Sequence, residues 1–102
     1  MNTIGTFTKE GEAYTGSINT IKFQGKAVIE PVKDKRSEGF PDFRVLGGRN
    51  RVEIGAAWKE RSESGTDYLG VRLDEPSFPA PVFCRLVQFD GEDGYRLIWS
   101  RS

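Results

Sequence analysis

The sequence predicts an all-β fold: a small antiparallel β-barrel or sandwich of seven to eight short strands, with no substantial helix. Three observations carry this. Apolar residues recur with the period of a strand. In "YLGVRLD", Leu69, Val71 and Leu73 share one face, and Tyr68, Gly70, Arg72 and Asp74 share the other. Polar, glycine-bearing stretches separate such runs: "KEGEA", "GGRN", "SESGTD" and "DGEDG". No segment holds an i, i+3, i+4 apolar stripe through three turns. Short strands with polar turns between them build barrels and sandwiches.

The elements follow in order. Strands over 3–8 and 13–20 flank the turn around Gly11. A third, over 22–32, runs into "VKDKRSEGFPD", a charged stretch with nothing to bury that reads as a mobile loop inside one domain. Strand 42–47 ends at "GGRN", and strand 51–60 follows. In it "RVEIGAAW" places Val52, Ile54, Ala56 and Trp58 on one side, and Trp58 is expected in the core. Strand 67–74 must stop before "PSFPAP", because Pro76, Pro79 and Pro81 cannot donate to a ladder. The chain is expected to stay extended and unpaired until about Val82, with Phe78 packed as a plug. In strand 81–89, "PVFCRLVQF" sets Val82, Cys84 and Leu86 against Phe83, Arg85, Val87 and Phe89, which predicts a strand covered on both sides. Strand 94–100 puts Tyr95, Leu97 and Trp99 inward, with Trp99 in the core.

Composition excludes several functions. A chain of 102 residues suits one domain, 1–102. There is no histidine, so the usual general base and commonest metal ligand are missing. Cys84 is the only cysteine, so no intrachain disulfide can form. The 15 basic and 15 acidic side chains balance, unlike those of a DNA-packaging protein or a DNA mimic. No signal peptide or membrane-length apolar run is visible, and the expected setting is cytoplasmic, with no membrane partner.

Candidate chemistry is weak. Cys84 lacks a base, and Arg85 points to the opposite face, so a small buried hydrophobe is the better reading. Asp74–Glu75 ends a strand, and Asp90, Glu92 and Asp93 suit a hairpin tip without the spacing of a calcium loop. "GGRNR" precedes a strand, whereas phosphate loops lead into a helix. No enzyme, metal or cofactor is indicated.

The aromatic and cationic residues are more suggestive. Tyr68 and Arg72 share a face, and Arg85 and Arg96 would join them if the last three strands are neighbours, with Arg44 as a further member. Strand surfaces that bind single-stranded nucleic acid combine aromatic platforms with such cations. The competing explanation is structural, since aromatics in a β domain mostly build its core and arginines are ordinary on a wet strand face.

Five collinear segments resemble one family: "IGTFTK" at Ile4–Lys9, "PDFRV" at Pro41–Val45, "EIGAAWK" at Glu53–Lys59, "DYLGVRLDEPSFPAP" at Asp67–Pro81 and "GYRLIWSR" at Gly94–Arg101. They are similar to the Domain of Unknown Function 736 family. The resemblance implies a small bacterial protein, often plasmid-associated or carried by other mobile elements. It transfers no site residue, because the family has no assigned active site. "FCRL" departs from the smaller or more polar residues expected there, which weakens any role for Cys84.

Two functional expectations stand. One is a non-catalytic nucleic-acid-binding module that uses Tyr68, Arg72, Arg85, Arg96 and Arg44 on single-stranded nucleic acid. The other is a protein-protein interaction or self-associating domain, a homo-oligomer formed through an exposed strand edge or the aromatic proline segment.

Overall fold

A computed structural model describes residues 2–20, 24–33, 39–75, 78–88 and 93–99. They form eight strands: β1 (Asn2–Glu10), β2 (Ala13–Asn19), β3 (Gln24–Pro31), β4 (Phe43–Gly47), β5 (Val52–Arg61), β6 (Asp67–Leu73), β7 (Val82–Val87) and β8 (Tyr95–Trp99). Each pairs antiparallel with the next, and β8 pairs back onto β1. The sheet is therefore a closed barrel in meander order, and the sandwich alternative falls away. Closure also removes the exposed strand edge on which self-association was expected to rest.

The alternation dictates what lies inside. Phe7, Ile18, Ile29, Val45, Leu73 and Leu97 point inward and are each at most 3% exposed. Among the described residues no polar or charged side chain is buried. Within the core apolar side chains face in, and most charged ones face out.

Two β-bulges shape the closure. Opposite β8, β1 inserts Ile4 between Thr3 and Gly5. Opposite β4, β5 inserts Ile54 between Glu53 and Gly55. The same Ile-Gly pair thus marks strands four apart in an eight-stranded barrel. A bulge bends its strand and increases the local twist, which an eight-stranded sheet needs in order to close. The glycine is required sterically at Gly55: a Cβ there would overlap the Arg72 carbonyl oxygen and stand 3.1 Å from Leu73 Cα.

The β5 bulge corrects one expectation. An inserted residue shifts the alternation by one, so the inward positions beyond it change. Ala57, fully buried, faces in opposite Phe43 and Val71. Trp58 turns outward, half-buried, and is not part of the core. Of the four residues expected on one side, only Ile54 is a core residue, and Val52 is 55% exposed.

Strand β7 is a second correction. Cys84 and Leu86 are buried, but Phe83 is 65% exposed and Arg85 is exposed as well. A single-layer barrel has one interior, so only one face of β7 is covered. Phe89 lies outside the described residues.

The proline segment is a third. Strand β6 ends at Leu73, and Asp74 still donates to the Ile54 carbonyl. The Phe78 amide then donates to the Glu75 carbonyl at 2.9 Å, so Phe78 is paired back to the end of the strand where an unpaired chain was expected. Pro76 and Ser77 lie outside the described residues. Phe78 does pack against the core, with Ile4, Val82 and Trp99, and the plug expectation holds. Much of the charged loop, residues 34–38, also lies outside the description. Its C-terminal end is tied down: the Asp42 carboxylate accepts the Lys59 amide at 2.8 Å, and the Gly39 carbonyl accepts the Trp58 indole N–H at 3.4 Å.

Candidate functional site

Strands β5 to β8 lie side by side, so the register places their outward side chains in rows. One row runs Ala56, Arg72, Phe83 across β5, β6 and β7. The next runs Trp58, Gly70, Arg85, Ile98 across β5 to β8. A third pairs Glu60 with Tyr68, and Val87 with Arg96. The face thus mixes Trp58, Tyr68 and Phe83 with Arg72, Arg85 and Arg96, with acidic Glu60 among them and Ile98 buried.

Its centre is Gly70. Trp58 and Arg85 stand on either side of it, two strand spacings apart, or about 10 Å. Gly70 itself has no side chain, and the Glu60 side chain lies over it: a Cβ there would stand 3.4 Å from Glu60 Cγ and 3.9 Å from its Oε1. The Arg72 guanidinium lies over the Trp58 ring, 5.8 Å from its centroid. This cation–π contact stacks the guanidinium while leaving Arg72 exposed. Phe83, beside Arg72, leaves 65% of its surface in water. Among the described residues neither Arg72 nor Arg85 makes an ion pair.

The structure therefore brings Tyr68, Arg72, Arg85 and Arg96 onto three adjacent strands. Arg44 is elsewhere. It is opposite Glu30 on β3, with Ala56 between it and Arg72. Glu30 accepts hydrogen bonds from Arg44 at 2.9 Å and from Arg51 at 2.7 Å. The Arg44 hydrogen bond, with help from both charges, holds the Glu30 carboxyl below its ordinary range. A guanidinium engaged in this way is a poor free cation for a ligand. Sequence reasoning missed Trp58 and Phe83 as members of the outer face. For Phe83 the signal was available, since it alternates with buried Cys84. For Trp58 no local signal existed, because the bulge inverts the pattern.

The other candidates give little chemistry. Burial pushes the Cys84 thiol up to about 12, so thiolate is scarce at neutral pH. Among the described residues no three His, Cys, Asp or Glu side chains are grouped to hold a metal ion. Asp90 and Glu92 lie outside the described residues.

One end of the barrel forms a second feature. There a cavity of about 770 Å³ opens between the ends of β1, β5 and β7 and the starts of β2, β4, β6 and β8. Tyr14, Phe43 and Tyr95 wall it, and their rings meet edge to face. Tyr68 sits on its rim, so this tyrosine borders both the cavity and the outer face.

Residues 3–102 match the model of the family described as "Protein of unknown function (DUF736)". No curated protein and no solved structure gives a match.

Proposed function

Because the chain belongs to the DUF736 family, whose description assigns no activity, its role must be read from its surfaces, and we propose that it is a non-catalytic module that binds single-stranded nucleic acid on the outer face of β5–β8. The observation that carries this is the clustering of exposed Phe83 with Arg72 and Arg85 on neighbouring strands, beside Trp58 stacked under Arg72. Arg72, Arg85 and Arg96 would track the phosphates, and every base presents a face to Trp58 or Phe83. Zero net charge limits non-specific attraction, so binding would depend on this local patch.

The test is a tryptophan-fluorescence titration with a short single-stranded oligonucleotide at about 50 and about 200 mM salt. Trp58 is in the proposed site and reports binding. Three phosphate contacts predict a log–log salt slope of about −2 for a single strand. Replacing Phe83 with Ala should weaken binding by about 1–3 kcal/mol if it stacks a base. No binding at the lower salt, or equal binding after Arg85→Ala and Phe83→Ala, sinks the proposal.

A protein contact is the second reading, and the same exposed Phe83 favours it. Neutral net charge leaves little repulsion between copies. Light scattering on the titration sample separates the two: an oligomer that Phe83→Ser converts to monomer, without nucleic-acid binding, favours the protein contact.

A further inference from the structure

The two ends of the barrel are finished differently. At one end Ile4, Phe78, Val82 and Trp99 pack against the core and close it with apolar side chains. At the other, the inward register continues past the core into polar residues. Phe7 is followed inward by Lys9, Ala57 by Lys59, and Leu86 by Gln88. These surround the 770 Å³ cavity, which falls in the size range of small-molecule sites. Its floor is Leu69 and Leu86. All three tyrosines of the chain border it.

The polar groups at this mouth are incompletely used. Tyr14 is only 9% exposed, yet among the described residues its hydroxyl has no hydrogen-bond partner, and neither has that of Tyr95. Their rings are 5.1 Å apart, nearly perpendicular. No buried side-chain oxygen among the described residues lacks a partner, so these two hydroxyls face the open mouth, where a ligand can reach them. Burial, and then the proximity of Tyr95, hold the Tyr14 hydroxyl above its ordinary range, so it stays a neutral donor. The charges are lopsided as well. Arg61 is tied to Asp67 at 2.9 Å. Among the described residues the Lys59 ammonium has no ion pair, and that of Lys9 sits 6.0 Å from the Tyr14 ring centroid. Among the described residues, two ammonium groups therefore stand at an aromatic mouth without an ion pair. Glu60 is on the rim but faces outward beside Gly70.

We infer that the open mouth of the barrel is a second binding site, for a small aromatic anion: a flat ring bearing a carboxylate or phosphate. The ring sits on Leu69 and Leu86 against Phe43 and the tyrosines. The acid group meets Lys9 and Lys59 and accepts hydrogen bonds from the Tyr14 and Tyr95 hydroxyls. A neutral ring would leave the ammonium groups unpaired, and a cationic one would be repelled.

The test is an amide chemical-shift titration of the whole chain with benzoate, adenosine monophosphate, benzyl alcohol and benzylamine as probes. Benzoate and the nucleotide distinguish a carboxylate from a phosphate site. Saturable shifts at Tyr14, Lys59, Leu69 and Tyr95 with either anion support the inference. A Lys9→Gln/Lys59→Gln double variant should weaken that anion about tenfold and leave the melting temperature unchanged, because both ammonium groups are at the mouth. Tyr14→Phe keeps the ring and should weaken binding by a smaller factor. Equal binding of benzylamine, no saturable shifts with either anion, or unchanged affinity in the double variant overturns it. Shifts confined to Arg72, Phe83 and Arg85 also overturn it, while leaving the outer-face proposal standing.

Discussion

Replacing Gly55 with alanine tests the barrel corner that decides where Trp58 points. The new methyl would overlap the Arg72 carbonyl oxygen and stand 3.1 Å from the Arg72 carbonyl carbon and Leu73 Cα. These are backbone atoms of β6, so no rotamer change relieves the overlap. For an ordinary contact the oxygen must retreat by on the order of 1 Å. The bond from the Asp74 amide to the Ile54 carbonyl is 2.8 Å, and a retreat of that size takes it beyond hydrogen-bonding range. Overpacking costs about 1–3 kcal/mol, and one or two broken ladder bonds add about 1 kcal/mol each. The sum is roughly 2–5 kcal/mol, a large share of the 5–15 kcal/mol available to a typical domain. At about 4–8 °C per kcal/mol, the melting temperature should fall by on the order of 10–30 °C. Gly25→Ala is the matched control. A Cβ at Gly25 in β3 meets nothing within 4 Å. It should change stability by less than about 0.5 kcal/mol. Thermal unfolding followed by circular dichroism measures both. A Gly55→Ala melting temperature within a few degrees of the parent, or a Gly25→Ala loss of equal size, would refute the steric account of the corner.

Two further outcomes are expected. Trp99→Ala should cost more stability than Trp58→Ala, about 2–4 against about 1 kcal/mol, because Trp99 packs on the core while Trp58 lies outside under Arg72; chemical denaturation of the two variants gives the order, and a reversed order contradicts the bulge assignment. The Cys84 thiol should resist alkylation at pH 8 in the folded protein and react once it is unfolded. Its folded pKa, about 12, is raised above the ordinary 9.0. The protonated thiol therefore favours folding fully below about pH 9, and that contribution is lost as pH rises from there through about 12. Rapid alkylation of native protein would place the thiol at the surface.

Much of the fold was legible because it is local. In β6 the apolar positions Leu69, Val71 and Leu73 alternate without interruption, and all three are buried as expected. In β8 the inward trio Tyr95, Leu97 and Trp99 was equally plain. The turn signals placed eight strands within a few residues, though β1 runs on to Glu10 at the edge of its turn. The candidate face was partly legible. Tyr68 and Arg72 share a face by alternation alone, whereas their meeting with Arg85 and Arg96 depended on β6, β7 and β8 being neighbours. Arg44 could not be separated from them without knowing that Glu30 stands opposite it.

By itself the sequence determined the strand period, the apolar faces of β6 and β8, the unreactive cysteine and the stop at the prolines, since each follows from the local preferences of a few adjacent residues. Only the tertiary structure decided closure, the outward turn of Trp58, the exposure of Phe83 and the meeting of Lys9, Tyr14, Lys59 and Tyr95 at one mouth. Those depend on register between strands. Register is set by hydrogen bonds between distant segments and by bulges, and a single inserted residue, Ile54, exchanges inside for outside along the rest of β5.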